Sequence, residues 1–290
     1  MLHFGTTPTN QFEKCLGLPP VVGRAKKWAF HEIKDRVGRH LQGWKEKLLS
    51  QAGKEVLIKA VIQAIPTYAM SCFKFPVGFC AELSGMAIRF WWGQRREERK
   101  IHWLNKNKLM KPKYEGGIGF RDLQLFNIAL LARQGWRLLH QPFSLLSRVL
   151  KAKYFPHTSF LEVGVPGNAS YIWRSICESK EVLNCGLRWR VGSGDRIKIW
   201  NDRWLPSFST YKVISPMTGV DVKATVDKLI CGESMTWNIP LLHSMFLPRD
   251  MECIRSIPLS KRKAFDVLIW SGTKQGIFSV KSAYKMLYSQ

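Results

Sequence analysis

From Lys26 to Trp44 the apolar residues Phe30, Ile33, Val37, Leu41 and Trp44 recur at steps of three and four. That spacing predicts a helix with one buried face, and Lys27, Lys34 and Arg36 fall on the other. Ser50 stands where an N-cap belongs, and Ile58, Val61, Ile62 and Ile65 predict a second helix over 51–65 that Pro66 stops. Glu55 and Lys59 sit four residues apart on its open side, so Lys59 has two readings, an intrahelical ion pair and a phosphate contact. A third helix is predicted over 81–93, with Gly93 suited to a left-handed C-terminal position. Gly116, Gly117 and Gly119 predict a tight turn. Asp122 then caps a helix whose apolar side is Leu123, Phe126, Leu130 and Leu131, continuing through Trp136 and Leu139.

Beyond about Pro166 the period changes from helical to alternating. Leu187, Trp189 and Val191 alternate with Arg188 and Arg190, Gly192 to Asp195 offers a turn, and Ile197 and Ile199 alternate with Arg196, Lys198 and Trp200. This reads as a β-hairpin with one apolar and one basic face. A second hairpin is predicted over 266–281, turning through Thr273 to Gly276, and Ser279 or Ser282 opens a last helix. The fold class is therefore α+β, mainly helical in its N-terminal half and mixed, with β-hairpins, in the rest.

Composition adds a polyanionic partner to this picture. The 290 residues are 46 % hydrophobic, enough to bury a sizeable core, yet 45 Lys and Arg face only 21 Asp and Glu. The net charge is +24, with +15 in residues 1–150 and +9 in 151–290, so the excess is spread over the chain and is not a tail. A folded surface this positive attracts nucleic acid first and an anionic membrane second. No run of about 18 apolar residues suggests a membrane span, and the N-terminus has no secretory h-region. An intracellular, non-secreted protein is expected. The seven cysteines form no C-x-x-C pair and read as reduced thiols, with no metal site.

Candidate contacts follow from the clustering of cations. Lys106, Lys108, Lys111 and Lys113 crowd the segment before the glycine turn and suit a sugar-phosphate backbone, as do Lys54 and Lys59; a solvated loop is the plain alternative. Arg188, Arg190, Arg196 and Lys198 share the basic hairpin face, where Trp200 would stack on an unpaired base, unless that face only guards an edge against association. The glycines are no phosphate cradle, because no G-K-[ST] follows. His31, His40, His102, His140, His157 and His243 lack a nucleophile or orienting acid at motif spacing, so no catalytic residue and no small-molecule substrate are assigned.

Several segments together carry a resemblance. They are CLGLPP from Cys15 to Pro20, GWKEKLLSQAGKEVLIKAVIQAIPTYAM from Gly43 to Met70, FWWG from Phe90 to Gly93, and PKYEGGIGFRDLQLFNIALLARQGW from Pro112 to Trp136. Downstream lie YIWRSI, LRWRVGSGDRIKIWNDRWLP and DVLIWSGTKQGIFSVKSAY. In this order they resemble the C-terminal part of a plant non-LTR (LINE-type) retrotransposon reverse transcriptase, from about Phe12 to Tyr288.

The resemblance implies three regions: 1–22 as the end of the palm with a primer-grip-like segment, 23–165 as a thumb-like and helical connecting region, and 166–290 as a mixed region. Ser50, Gly53, Lys54, Lys59, Pro66 and Tyr68 match the thumb pattern, while Cys15 stands where the family writes tyrosine. The family's endonuclease, fingers and palm would precede residue 1, and its zinc-binding module would follow residue 290.

Polymerisation by two metal ions needs clustered carboxylates, and the sequence has no Asp-Asp pair. Its adjacent acids, Glu97 and Glu98, sit in an arginine-rich loop and read as surface charge compensation. The resemblance thus implies a fragment that is not an enzyme as it stands and that binds RNA, DNA or their hybrid in nucleus or cytoplasm. It implies no cofactor in this chain, Mg2+ belonging to the missing palm. The alternatives are a relic open reading frame and a domesticated basic nucleic-acid-binding protein.

Overall fold

The computed structural model describes residues 30–45, 49–93, 101–206, 210–217, 221–232, 234–262 and 264–289. The CLGLPP segment, the whole 1–22 region, Lys27 and the loop with Glu97 and Glu98 lie outside the described residues. The structure is about 52 % helical with small antiparallel sheets, so it is α+β with a helical N-terminal half. The described residues divide into two compact units, one holding those up to Val182 and from Tyr284 onward, the other those within Leu183–Ala283.

In the first unit α1 (His31–Lys45) buries Val37 and Leu41, with Phe30 buried just before it, while Ile33 and Trp44 of the expected face are half-buried. Lys34, on the polar face, pairs with Glu82 at 2.8 Å. The Ser50 side chain caps α2 (Gln51–Leu57) by accepting from the Gly53 amide at 3.2 Å. The expected single helix to Ile65 does not form. A π-turn over Ile58–Ile62 replaces its second half, closed by the Gln63 amide donating to the Ile58 carbonyl at 2.9 Å. The extra residue in that turn brings both Ile58 and Ile62 into the core and leaves Val61 half-buried.

After Pro66 come α3 (Thr67–Cys72) and α4 (Val77–Trp91). The latter starts four residues earlier than expected, directly after Pro76, because Phe79 and Cys80 are needed inside. Gly93 takes the left-handed conformation, φ +67°. Phe30 lies 4.5 Å from Phe75, 5.8 Å from Phe73 and 5.9 Å from Phe79, ring centre to ring centre, which ties the start of α1 to the turn between α3 and α4.

The short α5 (Lys106–Met110) is followed by α6 (Leu123–His140), capped by the Asp122 carboxylate, which accepts from the Gln124 and Leu125 amides. Leu123, Phe126, Leu130 and Leu131 are buried as expected. Asn127, 2 % exposed, joins α6 to the α3–α4 turn: its side-chain amide donates to the Met70 and Phe73 carbonyls and accepts from the Phe75 amide. Helices α7 (Leu145–Tyr154), α8 (Tyr171–Cys177) and α9 (Lys180–Gly186) follow. Trp173 is fully buried between Tyr154, Phe155 and Phe160.

The second unit corrects both expected hairpins. Strand β1 (Leu187–Arg190) does not pair with residues 196–200. Its antiparallel partner is β4 (Val267–Trp270), with Leu187 opposite Trp270 and Arg190 opposite Val267. The Gly192–Asp195 turn is instead occupied by the Asp266 carboxylate, which accepts from the amides of Gly192 (2.7 Å), Gly194 (2.9 Å) and Arg196 (3.0 Å). A side chain on Gly192 would come within 2.1 Å of the Ala264 carbonyl oxygen, so only glycine fits there. Lys198 makes a single bridge to Thr225.

The two-residue strands β2 (Ile230–Cys231) and β3 (Thr236–Trp237) pair with each other, and α10 (Ile239–Met245) and α11 (Pro248–Arg255) follow. These elements enclose a core of Ile197, Ile199, Trp204, Val226, Leu242 and Phe246. After β4 the turn at Thr273–Gly276 closes, with the Trp270 amide donating to Gly276 at 2.8 Å, but no return strand follows. Phe278 packs on Trp270 at 4.7 Å, and the Ser279 hydroxyl accepts from the Ser282 amide at the start of α12 (Val280–Tyr288). No helix among the described residues is long and apolar enough to cross a membrane.

Candidate nucleic-acid interface

Lys106, Lys108 and Lys111 are presented by a loop that its own backbone closes. Asn105 caps α5 by accepting from the Asn107 amide at 2.6 Å. The Leu109 carbonyl accepts from Ile118 and Phe120, and the Lys111 carbonyl accepts from Gly119 at 2.8 Å. Gly116 and Gly119 have φ +77° and +75°, and a side chain on Gly117 would sit 2.0 Å from the Lys111 oxygen. The glycines therefore close a ring that buries Leu109 and Met110, leaving Lys108 and Lys111 exposed and Lys106 half-buried.

Lys59 and Lys113 converge on one carboxylate. Each ammonium lies 2.7 Å from Glu55 Oε1, and Lys59 also donates to the Ile118 carbonyl at 2.6 Å. Hydrogen bonds from Lys113, then from Lys59, hold the Glu55 carboxyl below its ordinary pKa. Lys59 thus has the ion pair that the helix spacing offered, and it is a fastener between α2 and the glycine loop. Lys54 is half-buried on α2.

Two rings that sequence reasoning passed over complete this surface. Trp103 is 78 % and Tyr114 82 % exposed, one on each side of the lysine segment. Large exposed rings beside lysines suit stacking on bases while the ammoniums meet phosphates. Aromatic residues flanking the Lys106–Lys113 run were the available signal.

Of the residues in the second unit, Arg190, Arg196 and Lys198 are exposed and Arg188 is half-buried. Arg196 lies 5.8 Å from the Trp189 ring and Arg188 the same distance from Tyr211. Trp200 does not stand on a cationic face: it is half-buried with its ring 5.5 Å from Phe246, because the chain turns after the Lys198 bridge rather than continuing as a strand. Arg188 and Arg190 come together on β1, apart from Arg196 and Lys198 along the chain.

Among the described residues no three His, Cys, Asp or Glu side chains group together in a way that could hold a metal ion. The Cys80 thiol is pushed up to about 11 and the Tyr171 hydroxyl to about 12, both mainly by burial. Both groups are neutral packing elements at pH 7.

No family model matches the chain. It is 33 % identical over 276 residues to the Arabidopsis thaliana "Putative ribonuclease H protein At1g65750", a match covering 93 % of this chain and 44 % of that protein. It is also 48 % identical over 143 residues to the A. thaliana "Uncharacterized mitochondrial protein AtMg00310", covering 49 % of this chain and 93 % of that protein. The chain belongs to the family of AtMg00310.

Proposed function

We propose that this is a retrotransposon-derived protein, corresponding to the thumb and connecting part of a plant non-LTR reverse transcriptase, that holds template-primer nucleic acid and carries no polymerase chemistry of its own. The observation that carries the reading is the glycine-closed loop of the first unit, which leaves Lys108 and Lys111 in solvent, with the exposed rings of Trp103 and Tyr114 flanking them along the chain. Such a surface meets phosphates with cations and unpaired bases with π faces. The net charge of +24 supports it, as does the ribonuclease H name of the longer relative.

The test is fluorescence anisotropy of the full chain on a labelled RNA-DNA hybrid across a salt series. Binding should be submicromolar at low salt, weaken steeply as salt rises through counterion release, and vary little with sequence. A folded chain that ignores the hybrid at every salt concentration refutes the proposal.

A second reading draws on Phe143 (90 % exposed), Leu145 (75 %) and Val149 (55 %), an apolar strip at the start of α7. It takes the chain as a relic reading frame whose product needs the rest of a polymerase to cover that strip. Aggregation of the isolated chain that is cured by charged substitutions at Phe143 and Leu145 would favour it.

A further inference from the structure

In the second unit an open groove of about 450 Å³ runs beside β1 and β4. Its lining combines rings and cations. Trp204, 1 % exposed and fixed by its indole N–H donating to the Ile199 carbonyl at 2.9 Å, forms part of the lining with Trp189, and Phe265 stands 83 % exposed beside them. Arg188, Arg190 and Lys274 supply three positive charges, and no Asp or Glu is among the described residues that line it.

A space of this size accepts a ligand of nucleotide dimensions.

The groove wall is organised in advance. Asp266 binds the amides of Gly192, Gly194 and Arg196, and the Ala264 and Phe265 carbonyls press on Gly192. Phe265 is therefore set next to a clamped residue on one side of the groove, and Arg190 lies just before the clamped loop. The clamp fixes the backbone next to Phe265 and Arg190, which lowers the ordering cost that opposes binding.

We propose that this groove holds one unstacked nucleotide of a single-stranded nucleic acid, its base against Phe265 and Trp189 and its flanking phosphates on Arg190 and Lys274. The proposal rests on the nucleic-acid reading of the chain and adds a second site to it. Charge selects the occupant: an apolar peptide would leave three cations facing no counter-charge. A paired base, stacked on both sides, presents no free face to Phe265, so the groove distinguishes single strands from duplex.

The experiment uses the full chain with labelled oligothymidylate and, separately, a blunt RNA-DNA hybrid. Phe265→Ala, chosen because the ring is exposed and its loss spares the core, should weaken oligothymidylate about tenfold, the size of one stacking contact. Phe265→Ala should leave hybrid affinity within about twofold, and Arg190→Glu with Lys274→Glu should weaken oligothymidylate further, by more than it weakens the hybrid. A 5-iodouracil-substituted strand should photo-crosslink to peptides containing Trp189 or Phe265.

Equal losses on both ligands, unchanged oligothymidylate affinity, or crosslinks confined to other peptides would overturn the assignment. If the wild-type chain binds the hybrid but not oligothymidylate, the groove proposal falls and the broader reading stands. If it binds neither, both fall.

Discussion

Replacing Asn127 by alanine should unfold the first unit more readily than any single change on its charged surface. The side-chain amide makes three hydrogen bonds of 2.7, 2.9 and 2.7 Å to backbone groups at Met70, Phe73 and Phe75, and it is 2 % exposed. Alanine leaves two carbonyls and one N–H unpaired where the chain turns from α3 to α4. Each such group costs about 1–3 kcal/mol, and partial entry of water lowers the total, giving about 3–5 kcal/mol.

Asn127→Asp sharpens the test. It keeps the acceptor for Phe75 but turns a carboxylate toward two carbonyls, so the loss should be of similar size although the shape is unchanged. Urea unfolding followed by far-ultraviolet circular dichroism reads both variants. A loss below about 1 kcal/mol for each would refute the claim that this amide fastens α6 to the turn.

Other predictions follow from the same geometry. Lys59→Met should lower stability by about 1 kcal/mol by freeing the Ile118 carbonyl and half of the Glu55 pairing, yet change hybrid affinity less than twofold; a large affinity loss with intact stability would show Lys59 to be a phosphate contact. Asp266→Ala should cost the second unit about 2–4 kcal/mol and open the 192–196 turn to protease, because three amides lose their acceptor; an unchanged melting point and digestion pattern would refute the clamp. Stability should fall from about pH 9 to 12: the unfolded chain ionises Cys80 near 9 and Tyr171 near 10, whereas the fold keeps both protonated to about 11 and about 12, so the unfolded state gains with rising pH. Urea midpoints at pH 8 and pH 10.5 measure this, and a midpoint that does not move contradicts it.

Helices were legible where a local signal marked them. Ser50 and Asp122 cap the helices their positions announced, Gly93 ends α4 in the left-handed conformation, and the period of Leu123 to Leu131 identified the buried side of α6. The π-turn was not legible, because Ile58 to Ile65 satisfies an ordinary helical period equally well and core packing decides between them. Neither was the partner of β1. Alternation at Leu187–Arg190 announces a strand but not which strand lies beside it, and the nearby turn suggested the wrong one until Asp266, from the segment just before β4, claimed its amides. The lysines of the interface were visible as a run, but Glu55, shared by Lys59 and Lys113, separates fasteners from free cations only in three dimensions.

The most direct test of the central claim is hybrid affinity of the full chain with Lys108→Glu and Lys111→Glu together. Both side chains are exposed, so the fold should survive. An affinity loss of at least about tenfold at low salt is expected, with a log-affinity versus log-salt slope shallower by about one or two, since up to two phosphate contacts disappear. Unchanged affinity and slope in a folded double variant would contradict it.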